Sequence, residues 1–452
     1  MTQARHNFPM GFLWGTATSS HQVEGDNRRN DWHEWEAEPG RIQEGHVSAK
    51  ACDWWGGRWQ EDLDRAAEAG QNSHRLSLEW SRLEPEPGKW DSKAERKYRE
   101  MLEGARAREL TPMVTLHHFT NPQWLMAQGG WLNPNVVEHF GSFASRAVEA
   151  FGDLNALWVT INEPNVYAYA AYASGEFPPG ESDLRKAIEV MINMTRGHAR
   201  AYHEIHEKQP NAQVGLAHHY RGMKPASSIN SLHRMMVSLR SNSFNTGIPH
   251  ACKDGVFRLP WRKVEIPEAK GSQDFFGLNY YTRELVAFDP RAYQELFGRG
   301  YFAAGADVSP TGFIANDPEG FWEALRWAHS YDLPIYVTEN GVEDDKDDLR
   351  RRYLIQHIRV LWRAVNFNWR VKGYYHWSLV DNFEWERGWT QRFGLWELNP
   401  STQERTKRPS ADLYAAICRQ GALTTDIVEQ YAPELLPVIF PPAPVGDLPP
   451  DL

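Results

Sequence analysis

The stretch LPIYVTENG, residues 333–341, starts as a run of apolar and β-branched residues and stops on a carboxylate, an amide and a glycine. It reads as a buried strand over 334–339, with Glu339 where the strand opens into a loop. One such carboxylate could simply be a solvated strand end. WVTINEPN at 158–165 repeats the pattern, an apolar strand over 156–162 followed directly by Glu163. Six more runs, 11–17, 72–78, 112–118, 213–219, 274–280 and 372–378, are apolar nearly throughout. Strands covered on both faces look like this, whereas a half-exposed sheet alternates.

Between the strands lie stretches with apolar residues at helical spacing. Trp59, Leu63, Ala66 and Ala67 fall near one face of a helix that Gly70 should end. Tyr98, Met101, Leu102 and Ala105 make a second face, and Tyr353, Leu354, Ile358 and Leu361 a third. Eight β-α alternations predict a (β/α)8 TIM barrel, an α/β fold in which one domain carries long βα-loop insertions. Insertions are expected at about 19–58, 164–190 and 281–325. The barrel domain is placed at 1–435 and a Pro-rich tail at 436–452, with the chain from Pro433 onward expected to be extended. The charge run from Glu343 to Arg352 reads as a solvated loop and the first turns of a helix. A doubly wound sheet is the alternative, but no Gly-rich phosphate loop follows the first strand.

Composition narrows the partners. The 452-residue chain has a net charge of −10, which argues against nucleic acid as a partner. Three scattered cysteines, Cys52, Cys252 and Cys418, fit neither a disulfide framework nor a metal spacing. No apolar leader or membrane-length segment is visible, so a cytoplasmic protein without membrane contact is expected. The tail is a candidate contact in a homo-oligomer. Aromatic residues reach 13% with 20 tryptophans, enough to fill a core and also to stack on sugar rings.

In a TIM barrel the chemistry sits at the C-terminal strand ends. Those ends carry Arg75, His117-His118, Asn162-Glu163, His218-His219, Asn279-Tyr280-Tyr281, Glu339-Asn340 and Trp377-Ser378. Two glutamates there suit acid–base work on an acetal, where one carboxyl protonates the leaving oxygen and the other faces the anomeric carbon. Their environments must differ, and Arg75 is the candidate to hold one ionised. Of two neighbouring histidines on a strand only one can face the pocket. A metal-dependent hydrolase built on these histidines is the competing enzyme class, but no H-x-H or H-E-x-x-H spacing supports it.

FLWGTATSSHQVEG, HRLSLEWSRLEPEPG, TLHHFTNPQWL, WVTINEPN, FFGLNYYTR, PIYVTENG and GYYHWSLVDNFEWERGWTQRFGL occur in that order between about residues 8 and 415. Together they resemble the signature blocks of glycoside hydrolase family 1, the retaining β-glucosidases and β-galactosidases. The resemblance implies Glu163 as general acid/base and Glu339 as nucleophile. It implies that Arg75 and Tyr281 contact Glu339 and lower its pKa, with Asn279 supporting that shell. Asn162 would hold the sugar 2-hydroxyl. Gln22, His118, Glu384 and Trp385 would bind the other hydroxyls, over a Trp377 platform with Phe393 beside it. His117 would then be a packing residue, as would one or both of His218 and His219. A cis peptide at Trp377-Ser378 is also implied. No cofactor or metal is needed, and the substrates would be small β-glucosides and cello-oligosaccharides. Phe119 departs from a tryptophan common in the family, and Glu384 stands where relatives that act on phosphosugars carry other residues. Both carboxylates are present, against a sugar-binding protein without catalysis.

Overall fold

Apolar residues that cannot reach water on either side of a strand must be covered on both, and a closed barrel wrapped in helices does this. The computed structural model describes residues 4–441 and contains that barrel. Its strands are β1 (Leu13–Ala17), β2 (Ser73–Ser77), β3 (Thr111–His117), β4 (Leu157–Asn162), β5 (Gln213–His219), β6 (Phe275–Tyr280), β7 (Ile335–Asn340) and β8 (Val371–His376). Each pairs in parallel with its sequence neighbours, and β8 closes on β1 through Gly373↔Leu13 to His376↔Thr16. All eight lie within two residues of the predicted ranges.

The outer helices are α1 (Trp59–Glu68), α2 (Ser92–Ala107), α3 (Val136–Phe151), α4 (Leu184–Lys208), α5 (Gly247–Asp254), α6 (Pro318–His329), α7 (Leu349–Asn366) and α8 (Pro409–Gln420). Gly70 does follow α1 with φ +79°, a left-handed conformation that glycine adopts without a Cβ penalty. Asp91 starts α2 by accepting from the Lys93 and Ala94 amides, satisfying donors with no helical partner. The predicted faces are buried: Tyr98, Met101, Leu102 and Ala105 on α2, and Tyr353, Leu354, Ile358 and Leu361 on α7.

Three expectations need correcting. The chain from Pro433 is not extended: Pro433–Leu435 and Leu436–Ile439 are short helical segments. Ile439 is buried among apolar residues of the α7–α8 side, and Phe440 stacks on His6. Two leucines, an isoleucine and a phenylalanine outweigh the prolines there; residues 442–452 lie outside the described ones. The 343–352 run is only partly solvated. Glu343, Asp344, Asp347 and Arg350 are buried, with Arg350 donating to Asp347, to the Asp344 carbonyl and to the Arg392 carbonyl. Finally, a long excursion after β5 was absent from the expected insertions. It contains strand Gly222–Pro225, helix Ser231–Ser241 and the hairpin Val256–Leu259 with Arg262–Glu265. Gly222–Pro225 joins Arg283–Phe288 and Gly298–Tyr301 in a three-stranded ribbon at the mouth side. Short, polar strands paired over long sequence distances leave little periodic signal.

Candidate active site

The pairing slips where the chemistry sits. Between β6 and β7 the register shifts after Leu278, placing Asn279 opposite Glu339 instead of Thr338. Similar shifts occur between Val159 and Asn162 on β4 and between Val337 and Asn340 on β7. Such bulges re-aim the side chains that follow them. Glu163 leaves β4 in a left-handed conformation, φ 42° and ψ 57°, and Pro164 then opens a short helix. A glutamate held there is strained, a state seen mostly where function requires it. The Trp377–Ser378 peptide is cis.

His118, Asn162, Glu163, Tyr281, Glu339, Trp377, Glu384, Trp385 and Phe393 all line one cleft, with about 2410 Å³ of space out to its open mouth. Arg75, Asn279 and Gln22 are wholly buried among them. Arg75 organises the floor. Its Nη1 donates to Glu339 Oε1 at 2.6 Å and its Nη2 to Asn162 Oδ1 at 2.6 Å. The Tyr281 hydroxyl donates to Glu339 Oε2 at 2.5 Å. Both oxygens of Glu339 therefore receive strong, charge-assisted bonds. Tyr280, the neighbour, points away to the Asp317 carbonyl, as strand alternation demands.

Asn279 joins the shell around Arg75 through Asn162 and also reaches the second glutamate. It donates to Glu163 Oε1 at 2.8 Å and to Asn162 Oδ1 at 3.1 Å, while the Thr338 hydroxyl donates to its own oxygen at 2.6 Å. Gln22 lies beneath Glu384: its Nε2 donates to Glu384 Oε2 at 3.1 Å, to Asn382 Oδ1 at 3.2 Å and to the Phe383 carbonyl at 2.9 Å, while its Oε1 accepts from the Ser19 hydroxyl at 2.6 Å. His118 stacks between Trp377 and Trp385 at 5.9 and 6.0 Å and accepts from Asn162 Nδ2 at 3.2 Å. His117 turns outward to Asn121, as a packing histidine should.

The reading of the paired histidines on β5 left one residue unassigned that the structure brings to the site. His218 packs on Phe276 and meets Gln273. His219 faces the cleft, and its Nδ1–H donates to Glu163 Oε1 at 2.8 Å. Glu163 Oε1 thus has two donors, whereas Oε2 has no hydrogen-bond partner among the described residues. The only available sequence signal was alternation, which identifies a pair without saying which member faces in.

Electrostatics depart from expectation at Glu339. Burial pushes its carboxyl up to about 7; Arg75 pulls down, the charge of Glu163 pushes up, and the Tyr281 hydroxyl pulls down again. Glu339 is only 3% exposed, and desolvation at that depth outweighs the one cation beside it. Glu384 is raised further, to about 8, by burial and then by the charges of Glu386 and Glu339. Near neutrality it keeps its proton and can both donate to and accept from a hydroxyl. Repulsion of a phosphate then belongs to the cluster of carboxylates more than to Glu384 alone. Among the described residues no group of three or more His, Cys, Asp or Glu is arranged to hold a metal ion. No helix among them is long and apolar enough to cross a membrane.

A parallel barrel that gathers two buried glutamates, an arginine, amides and tryptophans on the C-terminal ends of its strands defines a carbohydrate-cleaving hydrolase. The model of glycosyl hydrolase family 1 matches residues 4–422. The chain belongs to that family. It is 31% identical to a β-galactosidase of Pyrococcus woesei, covering 94% of this chain and 99% of that one. It is 31% identical to β-glucosidase A of Thermotoga maritima, covering 92% and 98%. Its fold superposes on a β-glycosidase from Pyrococcus horikoshii with a TM-score of 0.87 at 34% identity, over 95% of this chain and 98% of that one.

Proposed function

We propose that this protein is a retaining exo-β-glycosidase that releases terminal β-D-glucosyl residues from β-glucosides, with β-D-fucosides, β-D-galactosides and cello-oligosaccharides also accepted. The supporting observation is the asymmetry of donors around the two glutamates. Glu339 has Arg75 on one oxygen and Tyr281 on the other, as suits an anion that must attack. Glu163 has both its donors on Oε1, leaving Oε2 to carry a proton toward a leaving group.

In the first step Glu339 bonds to the anomeric carbon as the glycosidic C–O bond breaks, and the Glu163 proton passes to the departing oxygen. In the second, Glu163 takes a proton from water, whose oxygen bonds to the same carbon from the face the leaving group vacated, and Glu339 is released. The carboxyl groups are expected about 5–5.5 Å apart, as direct attack requires. Asn162 Nδ2 lies where it can exchange His118 for a sugar 2-hydroxyl, a contact that strengthens as positive charge builds on the ring. Trp377 would stack on the sugar face, and Glu384 would bind the outer hydroxyls. No step requires a metal or cofactor.

The test is intact-mass spectrometry after incubation with an activated 2-deoxy-2-fluoro-β-glucoside, followed by peptide mapping. One sugar on Glu339 is expected. A label elsewhere would reject the assignment, and turnover without any label would point to inversion or to a faster second step. Glu163→Gln should slow alkyl glucosides far more than activated aryl glucosides; equal losses would remove its role as acid.

A further inference from the structure

Glu384 and Trp385, which the glycosidase reading assigns to the outer hydroxyls, sit on one tight turn of the loop after β8. The Glu384 N–H donates to the Gly388 carbonyl at 2.7 Å, and the Arg387 N–H to the Glu384 carbonyl at 2.9 Å. The Gly388 N–H closes the turn on the Trp385 carbonyl at 3.0 Å. Its backbone is strained. Trp385 has φ +48°, left-handed for a residue with a bulky side chain. Gly388 has φ 58° with ψ −126°, a conformation that glycine alone adopts readily. Such strain persists only where the surroundings hold it in place.

The hold comes from the loop after β1. His46 Nδ1 accepts from the Trp389 backbone N–H at 3.0 Å, and the Val47 carbonyl accepts from the Trp389 indole N–H at 3.1 Å. Gly388 lies against the same imidazole: a Cβ there would come within 2.7 Å of His46 Cβ and 2.8 Å of Nδ1. Because Nδ1 accepts, neutral His46 carries its proton on Nε2, which faces Glu44 Oε2 at 3.5 Å. The holding segment is itself anchored. Ser48 gives its N–H and its hydroxyl to Glu36 at 2.8 and 2.9 Å, tying the segment to helix Asp31–Ala37. His46 lies outside the cleft lining, so any effect it has on a sugar must pass through the turn.

Resting on the glycosidase reading, we propose that His46 is a positioning residue for sugar recognition. By accepting the Trp389 amide it keeps the 384–388 turn in the form that meets the outer hydroxyls. Without that acceptor the amide loses its partner, and the turn relaxes toward unstrained conformations that carry Glu384 and Trp385 off the sugar. Apparent affinity then falls with the fraction of molecules still in the binding form, by up to about tenfold for one hydrogen bond. Asn162, Glu163 and Glu339 stand on the strand ends, away from this turn. The loss therefore falls on contacts to the outer hydroxyls.

The experiment measures kcat and KM for an aryl β-glucoside and for its 4-deoxy and 6-deoxy analogues. The proteins are the wild type, His46→Ala, His46→Asn and His46→Gln. The asparagine carbonyl falls where Nδ1 stood, whereas the polar end of glutamine falls nearer Nε2 and leaves the amide unpaired. His46→Ala should raise KM for the glucoside about three- to tenfold with kcat little changed, because saturating sugar pulls the turn back. Each deoxy analogue has less contact to lose, so its KM should rise less. His46→Asn should recover most of the loss and His46→Gln little of it. The histidine side chain is 30% exposed, which spares the core, and the comparison of Asn with Gln decides the matter even if the alanine variant does not fold. An unchanged KM, or an equal loss on all three sugars, would make His46 merely structural and overturn this inference alone. Asparagine no better than glutamine would remove the role of the Nδ1 acceptor. Absence of wild-type turnover on every β-glucoside, with no label on Glu339, would reject the glycosidase reading and this inference with it.

Discussion

One carboxyl sets the acid side of the reaction's pH behaviour. Glu339 must be ionised to attack, yet burial raises it to about 7 against the opposing effects of Arg75 and Tyr281. The acid limb of kcat/KM should therefore fall through an apparent pKa near 7, not near that of a free carboxyl, because protonation below that pH removes the nucleophile. Tyr281→Phe deletes a donor to the anion and should move that limb upward; an unmoved limb would show that the hydroxyl does not stabilise the carboxylate. His219 acts through Glu163. With one of the two Oε1 donors gone in His219→Phe, hydrolysis of poor leaving groups should drop about tenfold or more, the worth of a hydrogen bond to a charged group. Activated aryl glucosides should change little, and His219→Asn, which can still donate, should recover part of the loss. A uniform loss across leaving groups would mean that His219 is only structural.

At the level of elements, the segment after β8 is held by one buried ion pair. Arg408, just before α8, donates to Asp381 Oδ1 and Oδ2 at 2.8 and 2.9 Å. Asp381 also accepts from the Gly394 and Leu398 amides, fixing the loop that carries Glu384, Trp385 and Phe393. Asp381→Ala leaves the Arg408 charge buried without its partner and should cost about 3–5 kcal/mol in denaturant unfolding. Asp381→Leu combined with Arg408→Met should recover much of that stability. It should not recover activity, because the loop amides lose their acceptor. This pair extends the buried set of Asp344, Asp347 and Arg350, which spacing along 343–352 alone cannot distinguish from a solvated run.

Over the whole molecule, buried titratable groups of two kinds oppose each other. Burial lowers His74, His198, His218, His357 and His376 to about 3 and His117 to about 4, and takes His118 well below its ordinary value. The unfolded chain then binds more protons below about pH 6.5, so these groups make stability rise with pH up to there. Burial raises Glu24, Asp31, Glu339 and Glu386 to about 7 and Glu384 to about 8. There the folded state holds the extra protons, so stability falls as pH rises from about 4.5 through those values. The melting temperature should peak at about pH 6 and decline on both sides. Glu384→Gln should flatten the alkaline decline while activity is lost. A melting temperature still rising from pH 6 to 8 would contradict the carboxylate shifts.

The eight strands and their outer helices are legible from the chain because local patterning decides them: runs apolar on both faces, helical stripes and glycine stops. The residues at the strand ends are legible for the same reason, since a polar group that ends a buried strand is conspicuous whatever its neighbours are. Tertiary structure alone decided which of His218 and His219 turns inward and that Asn279 serves Glu163. A register shift between strands paired far along the chain re-aims Asn279, while the unbroken pairing of β5 with β6 fixes which histidine alternates inward. It also decided that Glu339 is raised instead of lowered, because desolvation depends on how deeply the folded chain buries that carboxylate. Local patterning sets which elements form; packing between distant segments sets charge, orientation and cavity.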